Sequence, residues 1–186
     1  MQENELRQWK TLSKKTILDH SKYLKVESHA IELPDGEVIS DWPLVVAPDA
    51  IIVVACTPDN EFLCFRQTKY AIDGITMAPV GGLVEPGEDP FAAAKRELLE
   101  ETGYMALDWT PLGSHVMDPN RYSGMRYLYL AQNASKVAEP DSDDLEDQQL
   151  LLLKQSEVET ALDAGEFKVL GWTAAIALAL RRLSQD

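Results

Sequence analysis

The sequence is poor in cysteine, histidine and basic residues, and none of its apolar runs is long. Its 186 residues include two cysteines, three histidines, and 17 basic against 31 acidic residues, for a net charge of −14. Two cysteines do not make a disulfide framework, and no histidine has a partner at zinc-ligand spacing. The negative charge disfavours nonspecific binding to nucleic acid or to an anionic membrane. The apolar run at residues 174–180 is far too short to cross a bilayer. With no targeting segment at residues 1–15, we expect a cytoplasmic globular protein with no nucleic-acid or membrane partner.

A helix with two well-marked ends is predicted over residues 90–102. Asp89-Pro90 is typical of an N-cap followed by a first helical residue, and Gly103 is typical of the residue just past a helix end. At about 100° per residue, three acids share one arc of this helix: Glu97, Glu100 and Glu101. A neighbouring apolar stripe is expected to pack inward, so the helix presents acid beside its packed side.

The three acids on one arc have two interpretations. Carboxylates this close repel one another and weaken a helix, and most acidic helix faces are simply solvated. A bound hard cation reverses that repulsion. A small cluster of oxygen ligands suits Mg²⁺ or Mn²⁺, which keep several waters and bind through a few carboxylates together with substrate phosphate. The wider spacing of the segment favours this second interpretation.

The segment from Gly82 to Tyr104 resembles the Nudix box. The fixed residues are Gly82, Glu88, Arg96-Glu97-Leu98, Glu100-Glu101 and Gly103, with aromatic Tyr104 in place of an aliphatic residue. The resemblance covers about residues 45–183. It implies an α+β fold for residues 46–186, a Nudix-type α/β/α sandwich with a mixed β-sheet. Flanking residues are similar to those of ADP-ribose pyrophosphatases and related nucleoside diphosphate-sugar hydrolases: residues 65–67, residues 78–82 and Pro119. That branch carries a Ser-Pro-Gly-like loop where this chain has Asp118-Pro119-Asn120.

The resemblance also implies roles for the acids. Glu97, Glu100 and Glu101, with the carbonyl of Gly81, are expected to bind divalent ions, and Glu100 is assigned to catalysis as well. A loop ahead of a late strand supplies an acidic base or an extra metal ligand in this branch. Glu146 and Asp147 are its best match, and Glu146 is assigned as the base. By composition alone, the surrounding stretch of residues 139–147 would be a disordered acidic loop.

Arg96 and four other residues complete the candidate site. Arg96 lies on a different helical arc from the acids, so as a catalytic residue it is expected to orient Glu88 or the loop rather than to touch substrate. Substrate binding is assigned to Arg66, Glu85, Trp42 and Tyr70. Arg66 is equally typical of a surface arginine. Trp42 or Tyr70 would stack on a base, although aromatic residues near strand ends are more often part of a core.

Residues 1–45 are predicted to be an N-terminal extension. Residues 23–33 and 37–46 read as a hairpin around the turn Pro34-Asp35-Gly36, after an amphipathic or extended piece at residues 3–14. A two-stranded hairpin is not stable alone. The resemblance implies that this extension pairs two subunits, so we expect a homodimer.

Further elements follow from periodicity and turn residues. Strands are expected at residues 50–57, 61–67, 112–117, 127–132 and 150–154. Ser156 is expected to cap a helix that runs through Ala164 and stops at Gly165, and a last helix is expected over residues 172–183. Cys56 and Cys64, on either side of a turn, are expected to be reduced core residues.

Three functions are open on the sequence. The first is a Mg²⁺-dependent hydrolase that cleaves the diphosphate of ADP-ribose or a nucleotide sugar to a nucleoside monophosphate and a sugar phosphate. The second hydrolyses dinucleoside polyphosphates or nucleoside triphosphates through the same box and a different pocket. The third is a non-catalytic nucleotide sensor, which predicts eroded acids and a basic DNA-binding appendage. Because every acid of the box is present and no such appendage is expected after residue 183, the two hydrolase hypotheses are favoured.

Overall fold

The computed structural model describes residues 6–20, 23–141 and 147–185. The strands within these ranges are β1 (Lys10–His20), β2 (Leu24–Glu32), β3 (Val38–Val46), β4 (Ala50–Cys56), β5 (Glu61–Thr68), β6 (Ile75–Ala78), β7 (Val80–Leu83), β8 (Tyr104–Met105), β9 (Asp108–Asp118), β10 (Tyr122–Gln132), β11 (Ser135–Lys136) and β12 (Gln148–Lys154). The helices are α1 (Pro90–Thr102), α2 (Gln155–Asp163) and α3 (Leu170–Leu183). The described residues form two compact units: one runs up to Pro48 and includes residues 116–125, and the other holds residues 49–115 and those from Arg126 onward.

The N-terminal unit is built on an antiparallel sheet of β1, β2 and β3. The predicted turn joins β2 to β3: Gly36 has a φ of 93°, and the N–H of Glu37 donates to Asp35 Oδ1 at 3.1 Å. The sequence predicted a hairpin here, after an amphipathic or extended piece. β1 is a third strand that runs well past the piece expected at residues 3–14, of which residues 3–5 lie outside the described ranges. Register shifts at two points of β1 break the period-2 pattern that marks a strand in a sequence.

The second unit is a mixed sheet centred on β4. β4 runs parallel to β10 and antiparallel to β5 and β7, while β5 also pairs with β6 and β12, both antiparallel. The sequence of β4, AIIVVAC, is buried from its second residue to its last. Such a continuous apolar run is typical of a strand that is covered on both faces.

Alternate residues of β4 belong to two separate cores. Ile52 and Val54 pack with side chains of α2 and α3. Ile51 and Val53 pack with Ala93, Ala94 and Leu98 of α1. Successive side chains of a strand point to opposite faces, so α1 covers one face of the sheet and α2 with α3 the other. The predicted α/β/α layering with a mixed sheet is therefore confirmed in this unit.

The ends of α1 follow the sequence closely. Asp89 Oδ1 accepts hydrogen bonds from the N–H groups of Phe91 and Ala92 at 3.0 and 3.1 Å. Gly103 adopts the left-handed conformation, with a φ of 76°, and its N–H donates to the carbonyl of Leu99 at 2.7 Å. The helix therefore spans Pro90–Thr102, as predicted.

The prediction that Ser156 caps the next helix is wrong. α2 begins at Gln155 with Lys154 as the N-cap residue, and Glu157 Oε2 accepts the N–H of Lys154 at 2.8 Å. A glutamate in the first turn thus satisfies the N–H of the N-cap residue, which is one of the donors at the start of a helix that need a partner. The last helix begins at Leu170, before the predicted start at residue 172, and it ends at Leu183 as predicted. None of the helices in the described ranges is long and apolar enough to span a membrane.

Both cysteines lie in the interior as free thiols. Burial raises the pKa of Cys64 to about 12 and also raises the pKa of Cys56. A raised pKa disfavours the reactive thiolate, so these residues act as small apolar side chains of the core.

Candidate active site

β7 brings two consecutive glycines against the acid-bearing helix. Gly81 and Gly82 lie opposite Ile52 and Ile51 of β4. The N–H of Gly81 donates to Glu101 Oε2 of α1 at 3.3 Å. Because the N–H and C=O of one residue in an antiparallel strand point to the same side, the carbonyl of Gly81 points to the side of β7 on which the Glu101 carboxylate lies. Gly81 and Glu101, which the sequence assigned to one metal site, are therefore neighbours.

Gly82 makes room for a carboxylate. A Cβ atom built at this position would overlap the side-chain carboxylate of Glu97. Only glycine therefore lets the Glu97 carboxylate lie directly against β7 in this arrangement. The sequence pattern marked Gly82 as a fixed position, and the structure supplies the steric reason.

Arg96 joins the loop after β7 to the acids of the helix. Its Nε and Nη2 atoms donate to the two carboxylate oxygens of Glu88 at 2.9 and 3.0 Å. Its Nη1 atom donates to Glu97 Oε1 at 2.8 Å and to Glu100 Oε2 at 3.0 Å. A further bond from Nη2 reaches the carbonyl of Leu83 at 3.1 Å. One guanidinium thus holds the loop and two of the three acids.

These contacts shift the pKa values of Arg96 and Glu88. The hydrogen bonds from Arg96 lower the pKa of Glu88, and the hydrogen bond to Glu88 is the main reason that the pKa of Arg96 is raised. Both groups are therefore charged near neutral pH. Arg96 and Glu100 are an i,i+4 pair and therefore neighbours on the helix surface, a contact that the separate arc assigned to Arg96 did not indicate. The contact with Glu97 at i+1 depends on the reach of a long side chain.

The donor atoms at this face suit a hard divalent cation. Among the described residues, no three acidic, histidine or cysteine side chains already stand close enough to hold a metal ion. Glu97 and Glu100 are instead bound to Arg96 Nη1, and Glu101 to the N–H of Gly81. The set consists of carboxylate and carbonyl oxygens only, the ligands that Mg²⁺ and Mn²⁺ prefer. The residues therefore fit such an ion by their chemistry once the acids turn from these donors.

The residues assigned to substrate lie on separate segments. Arg66 is exposed on β5, opposite Gln149 of β12 and Met77 of β6. Tyr70 is fully exposed in the loop after β5. Among the described residues, neither of these two side chains makes a hydrogen bond or an ion pair. Both side chains could therefore bind substrate, but no hydrogen bond or ion pair joins either of them to the acids of α1.

The other two substrate candidates have partners. The N–H of Glu85 donates to Glu88 Oε2 at 2.9 Å, which places Glu85 beside the Arg96–Glu88 pair with its own side chain exposed. Trp42 belongs to the N-terminal unit. Its Nε1 donates to the carbonyl of Asn120 at 2.8 Å, and its ring meets that of Trp9 edge-on, with 5.3 Å between centroids. Trp42 thus has a packing role in that unit.

Glu146 lies outside the described residues, but the chain on either side is described. The N–H of Asp141 donates to the carbonyl of Glu100 at 2.9 Å. On the other side, Gln148 pairs with Gln67 at the start of β12. The sequence did not indicate the first of these contacts, since nothing in the composition of residues 137–141 marks a docking segment.

The second unit thus brings a carboxylate-bearing helix against a glycine-bearing strand on one side of an α/β/α sandwich, with oxygen ligands of the kind that divalent metal ions prefer. A family model described as the NUDIX domain matches residues 46–173, and a model described as the nucleoside diphosphate sugar hydrolase N-terminal domain matches residues 9–45. The chain belongs to the Nudix family, whose members generally need a divalent metal ion, and it is a pyrophosphohydrolase.

Individual relatives are similar over most of the chain. A methanol dehydrogenase activator of Bacillus methanolicus is 32% identical over 127 residues, which cover 68% of each chain. An ADP-ribose pyrophosphatase of Bacillus subtilis (strain 168) is 29% identical over 130 residues, 70% of this chain and 69% of the relative. A crystal structure of an ADP compounds hydrolase has a TM-score of 0.81 at 23% identity, over 97% of this chain and 96% of that chain. This last likeness shows the fold.

Proposed function

We propose that the chain is a Mg²⁺-dependent hydrolase that cleaves ADP-ribose or a nucleotide sugar to a nucleoside monophosphate and a sugar phosphate. The observation that carries this proposal is the meeting of Glu97 and Glu101 with the Gly81-Gly82 corner of β7. Two of the similar proteins are named for ADP-ribose or ADP compounds, which supports an ADP moiety in the substrate. The net charge of −14 would repel a free diphosphate, so a cation is needed at the site.

Four groups of this chain would hold the ion: the carboxylates of Glu97, Glu100 and Glu101 and the carbonyl of Gly81. When bound, Mg²⁺ neutralises charge that builds on the diphosphate oxygens and makes a water molecule a better nucleophile. Glu97 and Glu100 would turn from Arg96 Nη1 to bind it. The paired hydrogen bonds from Arg96 to Glu88 need not change. The loop of residues 83–88 would therefore stay fixed on the helix while the acids bind the ion.

The substrate groups are proposed by their chemistry. Arg66 carries an exposed guanidinium suited to a phosphate oxygen, and Tyr70 an exposed ring suited to stacking on a base. Glu85 would accept hydrogen bonds from sugar hydroxyl groups beside the Arg96–Glu88 pair. Trp42 is the second stacking candidate. Its contacts with Trp9 and Asn120 within the N-terminal unit favour Tyr70 over it.

A substrate panel tests the proposed reaction. ADP-ribose, nucleotide sugars, dinucleoside polyphosphates and nucleoside triphosphates are incubated with enzyme and Mg²⁺, and the release of monophosphate or phosphate is measured. We expect the highest kcat/KM for ADP-ribose or a nucleotide sugar. A clear preference for polyphosphates or triphosphates would reassign the substrate class, and an absence of hydrolysis across the panel would overturn the proposal.

Glu146 is the proposed general base that takes the proton of the attacking water. Glu146→Gln should lower kcat by about 10²–10⁴-fold and leave KM almost unchanged, because proton removal matters in the transition state and not in binding. Steady-state kinetics of this variant and of Asp147→Asn, its internal control, decide the matter. Loss of turnover in Asp147→Asn alone would move the base by one residue. Near-normal turnover in both would remove it from this segment.

We propose a homodimer in which a second copy covers β1. All 11 residues of β1 are exposed, Leu12, Ile17 and Leu18 among them, each 45% exposed or more. An edge strand with exposed apolar side chains can pair with another chain. Light scattering at micromolar concentration should give about twice the 20.7 kDa of one chain. Ile17→Lys should shift this mass towards the monomer, whereas Glu159→Lys, on the exposed side of α2, should not. A wild-type mass of one chain would contradict the dimer.

A cytoplasmic location is also proposed. The two buried thiols remain unpaired, which suits a reducing compartment.

A further inference from the structure

Residues 137–141 cross the C-terminal end of α1 and bind it through the backbone. The N–H groups of Val137 and Ala138 both donate to the carbonyl of Gly103, at 2.8 and 3.1 Å. The N–H of Asp141 donates to the carbonyl of Glu100 at 2.9 Å. We call residues 137–141 the helix-end strap. Just before it, β11 pairs with β8, so the strap is held to the chain that leaves α1 as well as to the helix.

The strap meets a need that every helix has. The last four carbonyls of an α-helix have no partner within the helix and must find one elsewhere. In α1, Gly103 satisfies the carbonyl of Leu99, and the strap satisfies that of Glu100. Glu100 and its neighbour Glu101 carry two of the three acids of the site. The strap thus fixes the turn of backbone from which those two carboxylates extend.

Close packing at Gly103 shows that the crossing is built into the fold. A Cβ at this position would overlap the carbonyl oxygen of Ala138. Gly103 therefore has two separate reasons to be glycine, its left-handed φ of 76° and the passage of the strap.

We propose that the N–H of Asp141 is a positioning group for the reaction. By holding the carbonyl of Glu100, it sets the last turn of α1 so that the carboxylates of Glu100 and Glu101 converge on one ion. This proposal rests on the proposed function, since it takes these acids as ligands. The side chain of Asp141 is not required for it.

Two substitutions at one position separate the backbone group from the side chain. Asp141→Pro removes the N–H, and Asp141→Ala removes the carboxylate and keeps the N–H. We expect Asp141→Pro to weaken Mn²⁺ binding, measured by titration calorimetry without substrate, by about 10-fold, the size of effect typical of a group that orients a metal ligand. Its kcat should fall by a similar factor with little change in KM, and Asp141→Ala should stay close to wild type in both measurements.

The alternatives give different results. Equal losses in Asp141→Ala and Asp141→Pro would assign the effect to the carboxylate and overturn the proposal, and so would wild-type Mn²⁺ affinity in Asp141→Pro. Should Asp141→Pro fail to fold, a glycine inserted after Pro140 moves the N–H while keeping every side chain, and the same loss is expected. Mn²⁺ binding tests the role of the strap without any substrate. If no substrate of the panel is hydrolysed and Asp141→Pro still weakens Mn²⁺ binding, the proposed function is wrong and the role of the strap stands.

Discussion

Glu101→Gln is expected to lower turnover by about 100-fold or more with little change in stability. The substitution keeps the shape of the side chain and removes the charge that would bind the ion. Loss of a mere outer partner of a metal ligand typically costs 10–100-fold, so loss of a ligand charge should cost at least the upper end of that range. Glu101 is also half-buried beside the N–H of Gly81, a position that a glutamine oxygen can still occupy. Steady-state kinetics over a range of Mg²⁺ concentrations measures the effect.

A matched control is available on α2. Glu159 is an exposed helical glutamate whose Oε1 accepts a hydrogen bond from Gln155 at 2.7 Å. Glu159→Gln removes the same charge far along the chain from the box and should leave kcat unchanged. Both variants should melt within about 2 °C of wild type, as exposed or partly exposed substitutions usually do. Near-normal turnover of Glu101→Gln at limiting Mg²⁺ would remove Glu101 from the metal site.

Gly82→Ala is expected to abolish most activity while the protein still folds. The new methyl group would take the space of the Glu97 carboxylate. That carboxylate is the far end of a flexible side chain, so it can swing away at modest cost in stability. A displaced Glu97 would no longer share an ion with Glu100 and Glu101. We expect a loss of about 100-fold in kcat/KM and weaker Mn²⁺ binding, with a circular dichroism spectrum like that of wild type.

A double-mutant cycle identifies the cause of this loss. If Gly82→Ala acts by displacing Glu97, the double variant should have a kcat/KM only slightly below that of Glu97→Gln, because both changes remove the same ligand. Additive losses would mean that the methyl group acts elsewhere, for example by blocking the substrate. An active Gly82→Ala variant would show that Glu97 need not lie against β7.

The sequence was most informative where local rules act without competition. α1 is bounded by an N-cap aspartate, a proline and a left-handed glycine, and each of these fixes backbone geometry through nearest neighbours alone. Its limits could therefore be predicted to the residue. The buried strand β4 was predicted because an apolar, β-branched run of this length has few other uses.

The misses have physical reasons as well. β1 was not predicted as a full strand because two register shifts disturb its alternation. The cap of α2 was misassigned to Ser156, since the helix begins one residue earlier and the side chain of Glu157 accepts the N–H of its N-cap residue, Lys154.

The site was predictable in its residue types and not in its contacts. Spacing placed the acids on one face of α1, but the overlap of Gly82 with Glu97 depends on how β7 packs on the helix. The bonds from Arg96 to Glu97 and Glu100 depend on the conformation of a long side chain. The strap contact of Asp141 joins positions 41 residues apart in the sequence through the backbone alone, so no side-chain pattern could reveal it.

Product analysis in ¹⁸O-labelled water shows which phosphorus–oxygen bond the enzyme cleaves and whether it needs a metal ion. The wild-type enzyme is given ADP-ribose, or the nucleotide sugar that it prefers, with Mg²⁺, and the products are identified by mass spectrometry. The proposed reaction predicts a nucleoside monophosphate and a sugar phosphate, with one ¹⁸O atom in the phosphate that the water attacked, and no turnover after chelation of the metal. Release of a nucleoside diphosphate with a free sugar, or turnover that survives chelation, would contradict it.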